Sequence, residues 1–389
     1  MKKIIVLSLI VTQLTYAYFN DVKKVNYCEM KYNSAIDNAM NINSPALNVS
    51  NCWADNIAYG GSVTLMWQRV SQREPISTIE QSAAIRVLNL FTDIKINKNA
   101  VFHMGTYNRS DLISNSLDLD NWPLDTTPQI QEAYLNYKVA PGVFIKAGLD
   151  WASFGNYSDP YPPVYSFHEG FAQARNTHVT LGLAPENIPL SFLAYVYKDG
   201  NSDKWNQSGF RFDYISNLFG LLQKDAFGLN VSFVKDYSTL NGAYSQYALN
   251  PQATGHEGAY DIGSSIKLGS FDLNIDYFKA TGPLIANASS DTTEPKLLST
   301  KVAYNFLISS KKSNLHAMYE RAWNSSEVFN YAFFTGIKED INFGADIYML
   351  DNAKFSLDYY KMDVYNTGLI DGSNVANQNI AVAAIKVYF

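Results

Sequence analysis

From Gly61 onward the chain repeats one pattern of apolar and polar positions. Segments of about eight to eleven residues alternate the two, separated by stretches rich in Gly, Asn, Asp, Ser and Pro. Val143, Ile145, Ala147, Leu149 and Trp151 hold one parity, and Lys146, Gly148 and Asp150 the other. Phe271, Leu273, Ile275 and Tyr277 alternate with Asp272, Asn274 and Asp276, and Ile341, Phe343, Ala345, Ile347 and Met349 with Asn342, Gly344 and Asp346. A period of two places each set on one face of a β-strand. Similar segments fall at 61–69, 83–96, 101–107, 131–139, 176–183, 190–197, 209–214, 227–235, 260–268, 297–307, 314–322, 330–337, 355–364 and 379–389. Together they predict about seventeen strands, of which 209–214 is short and 330–337 is apolar on both parities.

A soluble sandwich alternates too, but its solvent-facing parity is dominated by charge. Here the apolar parity carries Tyr, Trp and Phe, and the other parity is small, polar or singly charged. That division suits a transmembrane barrel, with lipid outside, polar groups inside and aromatic girdles at both interfaces. The linkers favour the same choice. Long connections near 108–130, 152–175, 236–259 and 280–296 alternate with short ones at 140–142, 184–189, 269–270 and 308–313. The rhythm fails once, between 338 and 354, and bacterial barrels have an even number of strands. The expected fold is therefore an all-β, antiparallel transmembrane barrel of about sixteen strands, spanning residues 60–389.

Composition narrows the function. With 47% hydrophobic and 17% charged residues, the 389-residue chain is too apolar to be disordered. A net charge of −6 offers no basic surface to nucleic acid. Lys2 and Lys3, the uncharged run Ile4–Leu14 and the exit Thr15-Tyr16-Ala17 have the layout of a secretory signal peptide over residues 1–17. Cys28 and Cys52 then lie in an exported segment, 18–59, of periplasmic or plug-like character, where an oxidising compartment favours a structural disulfide. Redox or metal roles for the pair find no support in their spacing, which brings no histidine near. The last segment places Ala381, Ala383, Ile385, Val387 and Phe389 on one parity, and a strand ending in Phe389 resembles the assembly signal of bacterial outer-membrane barrels. The compartment implied is the outer membrane of a Gram-negative bacterium. The partners are its lipid and lipopolysaccharide and the barrel assembly machinery.

No zinc-type histidine spacing, nucleophile elbow or phosphate loop occurs, so no cofactor, metal or catalytic residue is expected. A hydrolase built from distant Ser, His and Asp residues is the weaker alternative. Asp199-Gly200-Asn201-Ser202-Asp203 opens like a calcium loop but has Phe210 where a bidentate glutamate is needed, and reads as a polar hairpin loop. Charges on the polar parity are better candidates, because in a barrel they set the field of the channel. They are Glu132, Lys138, Lys146, Asp150, His178, Lys267, Asp272, Asp276, Lys301, Glu320, Asp346 and Asp358. Both signs occur, so no strong ion preference follows, and for each residue a cross-link within the wall is the competing role. The Pro- and Tyr-rich stretch 152–175 is the candidate constriction loop, through Phe154, Gly155, Asn156, Asp159, Tyr161 and Tyr165.

Lys146-Ala147-Gly148-Leu149-Asp150, followed by Phe154-Gly155-Asn156-Tyr157 and Ser158-Asp159-Pro160, resembles a strand-exit segment of LbtU-like siderophore porins. Trp323-Asn324-Ser325-Ser326-Glu327 is similar to a late segment of that family. Ser153 stands where that family has Pro, and its N-terminal coiled-coil extension is absent. The resemblance implies a sixteen-stranded outer-membrane barrel and uptake of a ferric siderophore. The wider expectation is a channel for small solutes. Its alternative is a non-transporting surface barrel in host interaction or envelope structure, with the oligomeric state open.

Overall fold

A strand with one lipid-facing side still has hydrogen-bonding groups along both edges, and lipid offers them no partner. The chain resolves this by closing on itself. The computed structural model describes residues 51–54, 57–73, 79–97, 99–109, 130–155, 168, 175–185, 190–198, 204–216, 226–237, 257–282, 284–285, 292–324, 337–350, 352–364 and 377–388. β1 (Asn51–Ala54) is a short spur that folds back on the start of β2 (Ile57–Arg73). The wall continues through β3 (Ile79–Asn97), β4 (Ala100–Arg109), β5 (Ile130–Ala140), β6 (Val143–Trp151), β7 (Arg175–Leu183) and β8 (Leu190–Tyr197). Next come β9 (Gln207–Ser216), β10 (Ala226–Val234), β11 (Ala259–Leu268) and β12 (Phe271–Ala280). A small hairpin, β13 (Leu284–Ile285) with β14 (Thr292–Thr293), stands outside the wall. β15 (Lys296–Ile308), β16 (Lys311–Trp323), β17 (Ile337–Leu350), β18 (Ala353–Val364) and β19 (Asn377–Tyr388) complete it.

Every wall strand pairs antiparallel with its chain neighbours, and β19 pairs with β2 from Asn377↔Arg73 to Tyr388↔Ser62. The result is a closed barrel of sixteen strands. The expected segment 330–337 does not enter it as a separate strand: 330–336 lie outside the described residues and Ile337 opens β17. With that segment removed, the break between 338 and 354 disappears, and the remaining departures from the linker rhythm are 74–78, short at the long-connection end, and 217–225, longer at the other. The connections 98–99, 141–142, 269–270, 309–310 and 351–352 are tight turns at one end. At the other end lie 110–129, 152–174, 235–258, 281–295, 324–336 and 365–376. Ser309 and Ser310 both have positive φ, 48° and 68°, as a type I′ hairpin turn requires. The first wall strand begins at Ile57, ahead of the expected start at residue 60, because the spur pairs Cys52 with Ala58.

The wall is apolar outside and polar within. Leu135, Ile145, Val179, Leu181, Ile262, Val302, Leu315, Phe343 and Leu357 are exposed, whereas Asn136, Lys146, Thr180, Asp261, Lys301, Asn314, Asn342 and Asp358 are buried. Outward rings gather in two bands. Phe271, Tyr304 and Phe306 lie near the tight-turn end, with centroids 4.8 and 5.8 Å apart. Tyr260 and Tyr277, 6.3 Å apart, lie near the long-connection end. On β19 the parity of Ala381, Ala383, Ile385 and Val387 faces out, while Val382 and Ala384 are buried.

One expectation is incomplete. Several large apolar side chains, among them Tyr195, Tyr197, Phe278, Tyr360 and Met362, point inward and form a buried cluster with Phe154. Among the described residues the inner face carries a large apolar cluster toward the long-connection end, where the chain after β6 packs against it, and a small one, Phe144 with Leu193, near the tight turns, with polar side chains between and beside them.

Candidate functional site in the barrel interior

Four groups of side chains cross-link the inner face. In the first, His103 of β4 lies between Asp93 of β3 and Glu132 of β5, at 2.7 and 2.8 Å. Carboxylates accept from both ring nitrogens, so both nitrogens carry hydrogen. Its ring stacks on Tyr134 at 4.7 Å, and the Lys146 ammonium, while pairing with Asp150, sits 4.4 Å from the centroid of that same phenol ring. Tyr134 lies directly across from Gly148, whose φ is +143°. A Cβ there would come within 2.2 Å of the Ala133 carbonyl oxygen and 2.6 Å of Tyr134 Cα, so β5 and β6 pair this closely only because residue 148 is glycine. His178, buried beside this group, donates from Nδ1 to the Asn176 carbonyl at 3.0 Å.

The second group holds the chain after β6. Ala152–Gly155 turn into the barrel, and Phe154 is fully buried at 0% exposure, edge-on to Phe278 and tilted against Tyr237. The Gly155 N–H donates to Ser232 Oγ at 2.8 Å, and Arg211 donates from Nη1 to the Gly155 carbonyl. Arg211 in turn forks onto Asp213, through Nε at 2.8 Å and Nη2 at 2.7 Å. This is a charge-assisted clamp in a dry place, because Arg211 is 1% exposed.

Further along the same connection, His168 is 1% exposed and binds residues of β11 and β16. Its Nε2 meets Asp261 Oδ2 at 2.6 Å, and its backbone N–H points to Glu320 Oε1 at 3.4 Å, which also accepts from Ser299 at 2.7 Å. Burial opposes a charge on His168, but the carboxylates of Asp261 and Asp276 outweigh it and raise the imidazole to about 9, with Lys301 pulling the other way. His168, Asp261 and Asp276 are the three groups among the described residues close enough to share an ion, their ligand atoms lying within 4.8 Å. The imidazolium is itself the cation those carboxylates need, so the cluster is complete as a salt bridge.

The fourth group spans β16, β17 and β18. Asp346 accepts from Asn314 at 3.1 Å, Lys354 at 3.2 Å and Ser356, and Asp358 from His316 at 2.8 Å and Asn342 at 3.3 Å.

Of the twelve charges expected to face inward, Lys146, Asp150, His178, Asp276, Lys301, Glu320, Asp346 and Asp358 are buried. Glu132 is half-buried against His103, and Lys138 is partly exposed on the same parity. Lys267 and Asp272 flank a tight turn, 3.9 Å apart, with Lys267 open to solvent. Asn156, Asp159, Tyr161, Tyr165, Phe389 and Cys28 lie outside the described residues, as does the side chain of Cys52. The polar parity also holds Asp93, Arg211, Asp213, Asp261 and Asp340, and the histidines His103 and His316, none of which is among the twelve candidates. All were detectable as single polar residues at strand period. With these, Asp236 and Lys354, the balance of sign becomes clear: among the described residues ten carboxylates are buried against four Lys and Arg side chains.

No family model and no curated protein matches the chain. Solved structures do. OmpF of Salmonella typhi, in complex with daunomycin, aligns at TM-score 0.58 and 13% identity over 88% of this chain and 100% of that one. An anion-selective porin from Comamonas acidovorans gives 0.57 and 10%, covering 86% and 99%. The outer membrane channel DcaP of Acinetobacter baumannii gives 0.53 and 11%, covering 86% and 97%. At such identities the likeness is one of fold, and it does not single out the siderophore porins. The chain folds as a sixteen-stranded barrel of the outer-membrane porin type.

Proposed function

We propose that the protein is an outer-membrane channel for small water-soluble solutes, narrowed by the segment that follows β6. The observation that carries this is the inward placement of Ala152–Gly155 and His168, the former anchored on β9, β10 and β12 and the latter on β11 and β16. A connection drawn into the interior reduces the cross-section, and polar groups at the remaining passage replace part of a solute's hydration. No covalent step is involved. The apolar outer face supports an outer membrane as the surroundings, with its lipid and lipopolysaccharide in contact and the barrel assembly machinery as the inserting partner.

Single-channel conductance in planar bilayers tests this reading. Wild-type protein should give small unitary currents, and Phe154→Ala with Arg211→Met should raise them at least about twofold by releasing one anchor of the constriction. Folded, inserted protein without currents in either form would overturn it. That result would favour the second reading, a non-conducting surface barrel, which the extensive burial of interior side chains also suits. Ferric siderophore uptake is the narrower form of the channel reading and rests on the resemblance of residues 146–160 and 323–327. Its test is faster entry of a ferric chelate than of an equally sized neutral sugar into vesicles carrying the protein.

A further inference from the structure

The outer face near the long-connection end departs from the apolar rule on three consecutive wall strands. Lys279 of β12 stands directly opposite Lys296 of β15, which stands opposite Trp323 of β16. Arg321, two residues before Trp323 on the same face, is opposite Leu298 and lies with its guanidinium 5.3 Å from the indole centroid. Tyr260 and Tyr277 of the outward band border the group, Tyr260 directly opposite Lys279. Below them the face is again hydrocarbon, with Ile262, Ile275, Val302 and Leu315 exposed.

Like charges directly across an antiparallel pair repel, and this pair adjoins a lipid-facing wall where screening by water is poor. Neither lysine has an ion-pair partner among the described residues. The Arg321 Nε is buried without a hydrogen-bond acceptor. Glu294, two residues before Lys296, and Glu339 of β17, opposite Arg321, are the acids that border the group, and neither stands between the two lysines. An anion seated between Lys279 and Lys296 would convert the repulsion into two charge-assisted contacts, with Arg321 as a third donor. The aromatic band fixes the depth, since Tyr and Trp rings of a barrel sit at headgroup level.

We propose that Lys279, Lys296 and Arg321 form a binding site for the phosphate of an outer-leaflet lipid, held against the barrel wall with its acyl chains over the apolar surface below. This rests on the outer-membrane reading given above, with the long connections placed on the extracellular side as in outer-membrane barrels generally. The occupant is a lipid because the site opens sideways, at the height of the headgroups, above a continuous hydrocarbon face.

The test uses full-length protein refolded in detergent, with bound lipid counted by native mass spectrometry. The probe is diphosphorylated lipid A, compared with its dephosphorylated form and with inorganic phosphate. Wild-type protein should retain the diphosphorylated lipid about tenfold more strongly than the dephosphorylated one, and inorganic phosphate should displace little of it. Lys279→Gln with Lys296→Gln should lose that preference, Lys296→Arg should keep it, and Lys312→Gln, an exposed cation at the tight-turn end, should match wild type. Equal retention by the double variant, or by the dephosphorylated lipid, overturns the site. Failure of the refolded wild type to insert into vesicles would instead overturn the outer-membrane reading, and the site with it.

Discussion

Single residues decide how the inner face is furnished. At Gly148, positive φ and the Ala133–Tyr134 backbone leave no room for a Cβ, so Gly148→Ala must twist β6 or part it from β5. A substitution forced into such a conformation costs more than about 1 kcal/mol. The variant should unfold at lower urea concentration than wild type, followed by the loss of the faster-migrating folded band on unheated gels. His168 gives a pH dependence with a definite sign. Its folded value, about 9, lies above the ordinary 6.5, so the protonated clasp is complete below 6.5 and fades as pH rises through about 9. The groups facing it are Asp261 of β11, Asp276 of β12, Lys301 of β15 and Glu320 of β16, and the carboxylates hold it charged. Channel conductance should therefore increase between pH 8 and 10, whereas His168→Gln should give a flat profile at the higher level. A wild-type profile as flat as the variant's would remove the clasp from the account.

At the scale of elements, the strands were legible because a period of two leaves its mark on every local window. Phe271–Tyr277 alternates whatever its neighbours do, and the linker lengths added the up-and-down order. What local windows do not contain is register. That His103 would meet both Asp93 and Glu132 depends on which residues of β3, β4 and β5 stand opposite one another, and that is settled only when the barrel closes. His168 was illegible for another reason: a connection has no parity, so nothing in the stretch 152–175 marked it as the residue that binds β11 and β16. The inward aromatics Tyr197, Phe278 and Tyr360 contradict a simple polar-in rule because they serve the inserted segment and not the solvent. The outer parity is the firmer inference, and it can be tested on one strand. Val302 faces out from the middle of β15 and is exposed. Val302→Lys should cost about 2–4 kcal/mol in bilayer unfolding measurements, the range for a cation near the midplane of a barrel's lipid face. A loss no larger than that of Lys312→Gln would argue that β15 does not face lipid.

For the molecule as a whole, charge is sorted by radius. The buried set is acidic, ten carboxylates to four Lys and Arg, and the cations Lys279, Lys296, Arg321, Lys361 and Arg69 face outward near the long-connection end. An acidic interior with low-dielectric walls draws cations and excludes anions. The zero-current potential across a bilayer with a potassium chloride gradient should thus show cation preference, and Asp346→Asn with Asp358→Asn should weaken it. Anion preference in the wild type would mean that the buried carboxylates do not border the conducting path.

The seam between β2 and β19 carries a consequence for biogenesis. Ser71 donates to the Asn379 carbonyl across a separation of 308 residues, and the full length of β19 is joined to Ser62–Arg73 of β2. Until the last strand arrives, the first has an open edge, and an open edge is a template for mispairing with another chain. Closure therefore comes late and all at once, at the largest loop entropy the chain can incur. A nascent copy must be chaperoned, with its β2 edge shielded, until synthesis has finished.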